Sequence, residues 1–275
     1  MTFANVLSIA VIALYLLGAG MLFVGVLKES STAKKLAYCL TGSGFFCHTT
    51  LLVVTLFAGR AEVLAQSNFY ISLLAWSVVL IYFVIWWKLR LQFLGLGAAP
   101  LALTLYLSAY ATTGVRVSLP AYLSGLFFGL HIGTLFIAIS LLTMACAAGV
   151  MYLYLERKIK TKEKLAGFAK ALPSLSAIDR ANQWAVVVGF PLYTLGLVTG
   201  FIWAGLTWNK VFSWDPKEVV AVIIWLLFAF LFHQRTMLGW QGRKTAWLAI
   251  WVFALTFLSM LGINFLLPTH HSFAA

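Results

Sequence analysis

Charged side chains are scarce in this 275-residue chain: Asp, Glu, Lys and Arg make up 9% of it, against 63% hydrophobic residues. A soluble domain carries about 25% charged and about 45–50% apolar residues. Nineteen basic and seven acidic side chains cannot coat so much apolar material. That excludes a soluble enzyme, and the apolar excess excludes a disordered chain. Cysteine is scarce as well. Cys39, Cys47 and Cys146 lie inside apolar runs and form no CxxC pair. That excludes a secreted disulfide scaffold and argues against a thiolate metal centre; the three are expected to be small buried hydrophobes. What remains is a polytopic membrane protein, and the mean hydropathy of +0.97 agrees. The net charge of +12 would suggest nucleic acid in a soluble chain. Here it reports topology, and no nucleic-acid partner is expected.

A membrane-spanning helix needs roughly 20 mainly apolar residues. Eight runs approach this: Ala4–Val26, Ala37–Gly59, Phe69–Trp87, Leu91–Thr112, Ser124–Leu155, Trp184–Leu206, Val219–Phe232 and Ala246–Leu267. The expected fold is therefore all-α, a polytopic bundle of eight transmembrane helices in one domain, residues 1–275. The first run lacks a basic n-region and a small-residue cleavage site, so it reads as a retained helix.

Basic residues then orient the bundle. Alternate connections hold Lys28, Lys34 and Lys35; Lys88 and Arg90; Arg157, Lys158, Lys160, Lys162, Lys164, Lys170 and Arg180; and Arg235, Arg243 and Lys244. The other connections hold Arg60, Arg116, Lys210 and Lys217. Fifteen of the nineteen fall on one side, which places both termini extracytoplasmic in a bacterial-type cytoplasmic membrane. The inner connection, 156–183, is long and basic. Leu165, Phe168, Ala169, Leu172, Leu175 and Ile178 recur there at helical spacing. It reads either as an amphipathic helix lying on anionic lipid or as a solvated linker interrupted by Pro173.

Few polar groups remain inside the spans, so each one is informative. No Asp or Glu falls within the eight runs beyond their edges, which counts against a proton-coupled carrier. There are five histidines. His48 and His233 fall within spans towards the inner side. His131 falls in the outer half of the fifth span, and His270 and His271 follow the eighth. A lone histidine in a span is ordinarily a hydrogen-bonded core residue. Two depth-matched sets also suit a metal or a haem iron, because a neutral imidazole sits in lipid more cheaply than a carboxylate.

The outer segment 201–218 is dense in aromatics: Phe201, Trp203, Trp208, Phe212 and Trp214, followed by Asp215-Pro216-Lys217-Glu218. Asp215-Pro216 predicts a turn opening a helix, with Pro at its first position and Glu218 in its first turn. Indole faces beside Lys210 and Lys217 suit a planar apolar ligand with acidic edges, such as haem. An ordinary belt at the lipid headgroups gives the same aromatics without a ligand.

The stretch from Ile178 to Arg235 resembles the cytochrome c assembly family of haem-handling membrane proteins, whose hallmark is a tryptophan-rich outer segment called the WWD domain. The resemblance is nearest to the CcsA/ResC branch. It rests on Trp203, Ala204, Trp208, Ser213, Trp214, Asp215, Pro216, Lys217 and Glu218, and on the closing Phe232-His233-Gln234-Arg235. Gly189-Phe190-Pro191-Leu192 with Thr194, Ser67-Asn68-Phe69-Tyr70, and His271-Ser272-Phe273 resemble further family segments. The chain departs from the family pattern at Asn209, where Gly is usual, at Phe212, where Trp is usual, and at Ser72, where Glu is usual.

The resemblance implies a haem b carrier for c-type cytochrome biogenesis, with four histidines on the iron. His48 and His233 would form a bis-histidine site in the membrane, and His131 and His271 an outer site with His270 spare. Trp203, Trp208, Trp214 and Asp215 would line the outer platform, with Lys217, Lys210 or Arg116 on the propionates. Implied partners are haem, a ResB/CcsB-like membrane protein, apocytochrome c and membrane lipid, and implied enzymatic work is at most that of the membrane subunit of a cytochrome c haem lyase. A HemX-like regulator of haem biosynthesis, partnered with a haem-biosynthesis enzyme, is the alternative within the family. A small-solute transporter without haem is the alternative outside it. The charge asymmetry makes a direct prediction. A single cysteine placed at Lys162, in a chain freed of its native cysteines, should resist an impermeant thiol reagent in intact cells; labelling there from outside would invert the topology.

Overall fold

A computed structural model describes residues 2–64, 66–89, 91–111, 126–165, 168–208 and 210–260. Its elements are helices: α1 (Phe3–Leu27), α2 (Ser31–Leu64), α3 (Ser67–Leu89), α4 (Gly95–Ala111), α5 (Leu126–Lys160), the short α6 (Phe168–Ala171), α7 (Leu175–Trp208), α8 (Pro216–Thr236) and α9 (Arg243–Leu258). A 3-10 turn at Gln92–Leu94 leads into α4. The all-helical membrane architecture is as expected. Seven described helices are long and apolar enough to cross a membrane. The eighth expected run begins as α9, and its remainder beyond residue 260 lies outside the described residues. By contact the chain divides into two compact units, Met1–Val115 with Leu153–Ala177, and Arg116–Tyr152 with Ile178–Ala275.

In the first unit α1 packs on α2 and α4, and α3 packs on α4 and α2. Lipid gives no hydrophobic drive for helix association, so close approach of backbones carries the packing. On α1 the buried residues Val11, Tyr15, Gly18, Leu22 and Gly25 recur every three or four positions. A Cβ on Gly18 would stand 2.5 Å from Thr41 Oγ1, and one on Gly25 2.8 Å from the Lys34 nitrogen. Glycine at these two positions lets α2 lie against the α1 backbone. Helix α2 itself bends at Gly59, whose φ of −171° and ψ of 66° leave the helical region.

In the second unit α7 is the organiser. Asn182 donates from Nδ2 to the Ala145 carbonyl of α5 at 2.8 Å. Phe190 packs at a tilt on Trp225 and Phe232 of α8 and meets Phe228 edge-on. Trp225 Nε1 donates to Thr194 Oγ1 at 3.0 Å. The Gly-Phe-Pro-Leu-x-Thr segment is thus the seam between α7 and α8. A Cβ on Gly149 of α5 would stand 2.9 Å from the Ala246 carbonyl oxygen of α9.

The same unit is tied at one end by a buried ion pair. Arg235 Nη1 meets Asp179 Oδ1 at 2.8 Å, with the arginine side chain 1% exposed. Arg235 also donates to the Asp179 carbonyl at 2.6 Å and to Thr245 Oγ1 at 2.9 Å. Gly242 N donates to Asp179 Oδ1 at 2.9 Å. One carboxylate and one guanidinium therefore join α7, α8 and α9.

Three expectations need correction. The connection placed at 156–183 is shorter, because α5 runs on to Lys160 and α7 already starts at Leu175. Leu175 and Ile178 belong to α7, and among the described residues between the two helices the four-residue α6 forms. Asp179 therefore sits in a span-forming helix, near its start, where hydropathy alone had placed no acid. Of the cysteines, all free, Cys39 is exposed and Cys47 and Cys146 are half-buried, because the helix faces that carry them are not fully covered by protein. Removing one partner of a buried ion pair costs about 3–5 kcal/mol. Asp179→Asn and Arg235→Met should each lower the detergent unfolding midpoint sharply, and Arg235→Lys should not rescue it, since an ammonium cannot reproduce the forked geometry.

Candidate functional site

His131 is the sixth residue of α5, a helix of 35 residues. At the α-helical rise that is roughly 52 Å, well beyond a hydrocarbon core of about 30 Å. The imidazole lies against α7. Its Nδ1 donates to the Gly196 carbonyl at 2.7 Å. A carbonyl only accepts, so Nδ1 carries the proton and Nε2 keeps its lone pair. No described residue hydrogen-bonds Nε2. This is the arrangement that a metal-ligating histidine takes, with one nitrogen fixed by a backbone acceptor and the other open.

Two glycines one turn apart make the seat. A Cβ on Gly200 would stand 2.5 Å from His131 Cε1, and one on Gly196 2.6 Å from Leu135 Cγ. Thr199 Oγ1 shares the Gly196 carbonyl at 3.0 Å. Trp203, one turn further along α7 and 6% exposed, lies nearly parallel to the imidazole, with ring centroids 6.5 Å apart. Neither glycine stood out in the sequence; only the helix pairing gives them a role. Lys217, at the start of α8, is within electrostatic reach of His131.

The outer segment has the predicted opening. Asp215 caps α8, accepting from Lys217 N at 2.9 Å, with Pro216 at the first position and Glu218 in the first turn. Glu218 Oε2 reaches back to accept from Ser213 N at 2.7 Å. Between these two anchors Trp214 takes a left-handed φ of 60°, a conformation that costs a bulky residue roughly 1–3 kcal/mol. Its ring is 79% exposed and meets Phe212 edge-on at 5.0 Å. Phe212 in turn meets Phe201 at 5.8 Å. The segment thus holds one buried indole, Trp203, beside His131 and one presented indole, Trp214. Phe201–Trp208 are helical, so the loop proper is shorter than 201–218. Lys210 is exposed. The side chain of Trp208, and Arg116, His270 and His271 entirely, lie outside the described residues.

His48 is fully buried in the first unit. Its Nδ1 is 3.2 Å from the Tyr15 hydroxyl and its Nε2 2.9 Å from Ser72 Oγ. The Tyr106 ring stands edge-on at 4.8 Å. His233, on α8 in the second unit, is exposed, and its ring makes no hydrogen bond among the described residues. Tyr15 went unnoticed in the sequence and Ser72 stood out only as a departure from the family pattern, since nothing marks a tyrosine on α1 or a serine on α3 as a histidine's partner before the helices are paired.

Haem asks for an open imidazole nitrogen, flat apolar neighbours and donors for its carboxylates. Around His131 the residues fit: Nε2 makes no hydrogen bond among the described residues, and Trp203 lies alongside. His233 is open as well. His48 fits only once Nε2 is released from Ser72. No cluster of three or more His, Cys, Asp or Glu that would hold a bare metal ion occurs among the described residues.

The fold and these residues define a class: a multi-pass helical membrane protein with a histidine seated beside a tryptophan-rich segment. A family model described as "Cytochrome C assembly protein" matches residues 64–271, and the chain belongs to that family. It is similar to the cytochrome c biogenesis protein CcsA of Chlorella vulgaris, 30% identical over 268 residues, covering 85% of each chain. The CcsA of Porphyra purpurea is 28% identical, over 75% of this chain and 77% of its own. That of Guillardia theta is 29% identical, over 75% of each. The family match takes in Ser72, His131, the outer segment and His233; α1 and His48 precede it.

The seat is testable without any ligand. Gly200→Ala puts a methyl into the His131 ring and should destabilise the protein by about 1–3 kcal/mol, as overpacking does. Gly133→Ala, where a Cβ meets nothing within 4 Å, should be neutral or stabilising by up to about 1 kcal/mol. Unfolding midpoints in detergent compare the two.

Proposed function

We propose that this protein binds haem b and moves or presents it across the membrane for the assembly of c-type cytochromes. The observation that carries the reading is the His131 seat: an imidazole with its proton fixed on Nδ1 and its Nε2 unbonded among the described residues, beside a buried indole, in a chain of the cytochrome C assembly protein family. The names of the CcsA relatives support the biogenesis role.

Haem is the cargo. His131 is one outer iron ligand and His271 the second. Trp203 and Trp214 offer flat faces, Trp208 a third. Lys217 and Arg116 pair with the propionates, since charge-assisted pairs gain strength in a partly dry site. Asp215 keeps the start of α8 in place and takes no proton. His48 and His233 are inner haem ligands that act before haem is presented. Covalent attachment draws its thiols from an apocytochrome c, held by a ResB/CcsB-like partner. The basic connection faces the cytoplasm and both termini face outwards.

The absorption spectrum of the purified protein tests the reading. Protein made in a haem-replete host should show a bis-histidine spectrum. His131→Ala should lose or shift one component, and added imidazole should restore it. A colourless protein that still supports cytochrome c assembly would sink the haem reading and favour a solute carrier. A haem-loaded protein whose deletion leaves c-type cytochromes intact but alters haem synthesis would favour a HemX-like regulator, a reading that the departures at Asn209 and Phe212 keep in view. Asp215→Ala and Trp214→Ala should lower outer-site occupancy while sparing the inner component. If both variants keep full occupancy and cytochrome c assembly, the aromatic segment is only an interfacial belt.

A further inference from the structure

Three donors converge on one carbonyl of α7. In an α-helix the Gly196 oxygen receives the Gly200 amide, four residues further on. It also receives His131 Nδ1 at 2.7 Å and Thr199 Oγ1 at 3.0 Å. A carbonyl oxygen has two lone pairs, so one donor is in excess. The imidazole bond lies at the short end of the N–H···O range, and the amide is fixed by the helix. The threonine is the donor with a choice. Its hydroxyl carries one proton, and the Leu195 carbonyl stands at 2.8 Å, close to the distance of the Gly196 carbonyl.

Other hydroxyls of the protein are settled more simply. Thr143 bonds Ile139, Thr194 bonds Phe190 and Thr256 bonds Val252, each through one carbonyl four residues earlier. Thr55, Thr134 and Thr161 reach two carbonyls, as Thr199 does. Among the described residues, only at Thr199 does the shared carbonyl also take a proton from a side chain of another helix. Thr199 is 5% exposed, so these two carbonyls are the acceptors within its reach. Rotation about its C–O bond moves the proton from one to the other without moving a heavy atom.

We propose that Thr199 tunes His131: its hydroxyl divides between the Leu195 and Gly196 carbonyls and so sets how strongly the Gly196 carbonyl holds the imidazole proton. A carbonyl that already accepts a hydroxyl pulls less on Nδ1–H. The acceptor on one ring nitrogen sets the donor strength of the other. Hydroxyl proton on Gly196 therefore makes Nε2 a poorer ligand, and hydroxyl proton on Leu195 makes it a better one. Thr199 acts on His131 through the carbonyl and is a positioning residue. This rests on the reading of His131 as an iron ligand, and adds the group that grades that ligand.

Two measurements on the full-length protein in detergent test this. The first uses haem-free protein labelled at histidine nitrogen for NMR, where the His131 Nδ1–H signal is the one missing from His131→Gln. Thr199→Val keeps the shape and loses the hydroxyl. It should move that proton downfield and slow its exchange with water. Thr199→Ser keeps the hydroxyl and should leave the proton at the parent position. The second measurement is the reduction potential after loading with haemin. Thr199→Val should favour ferric over ferrous iron in the His131-dependent component by about three- to tenfold, the worth of one net hydrogen bond. That is a fall of roughly 30–60 mV for a one-electron couple. Thr199→Ser should match the parent. Thr199→Cys, a weaker donor, should fall between, and decides the matter if the valine variant does not fold. If His131→Gln removes a spectral component but the proton or the potential stays at the parent value in Thr199→Val, the tuning is wrong and the haem reading stands. If His131→Gln leaves the spectrum unchanged, the reading of His131 as an iron ligand fails, and the tuning with it.

Discussion

In hydrocarbon a polar group has only the protein to bond with, and the cost of leaving it unpaired is several kcal/mol by transfer scales. That constraint explains most of the polar placements in this structure. Threonines and serines on the spans turn back to their own carbonyls, as at Thr194, Thr199 and Thr256. Asn182 reaches a carbonyl on a neighbouring helix. Arg235 is admitted to the interior only because Asp179, Thr245 and two backbone carbonyls receive it. The histidines obey the same rule with different outcomes. His48 is saturated by hydroxyls, His131 has one nitrogen paired among the described residues, and His233 is exposed.

The second constraint is proximity. With no water to expel between lipid-facing helices, contacts of a few tenths of an ångström decide which faces meet. Glycine marks those places. Gly18 and Gly25 admit α2 to α1, Gly149 admits α9 to α5, and Gly200 admits an imidazole to the backbone of α7. The last case joins packing to chemistry, because the absent side chain is what allows the ring to reach the Gly196 carbonyl.

The helices were legible because hydropathy over some twenty residues is a strong signal. The opening of α8 was legible because Asp-Pro-x-Glu is a local pattern whose hydrogen bonds close within six residues. The histidines were legible by scarcity. Their partners were not. Tyr15 and Ser72 lie 33 and 24 residues from His48 in sequence, and Gly196 lies 65 residues from His131. No local pattern encodes such pairings. Asp179 was misplaced for another reason: a hydropathy window ends a helix where charge begins, whereas α7 carries Asp179 in its first turns and pairs it with the buried Arg235.

The outer segment closes on itself. Glu218 reaches Ser213, Asp215 reaches Lys217, and Trp214 is held in its left-handed turn between them. All these bonds span five residues or fewer, so their closure entropy is small. Such a structure does not wait for the rest of the bundle. During insertion it can form as soon as the first turn of α8 has been synthesised, before α9 exists and before the Arg235 node can be tied. The strained tryptophan is then an early event of biosynthesis, already in place while the later helices are still being made.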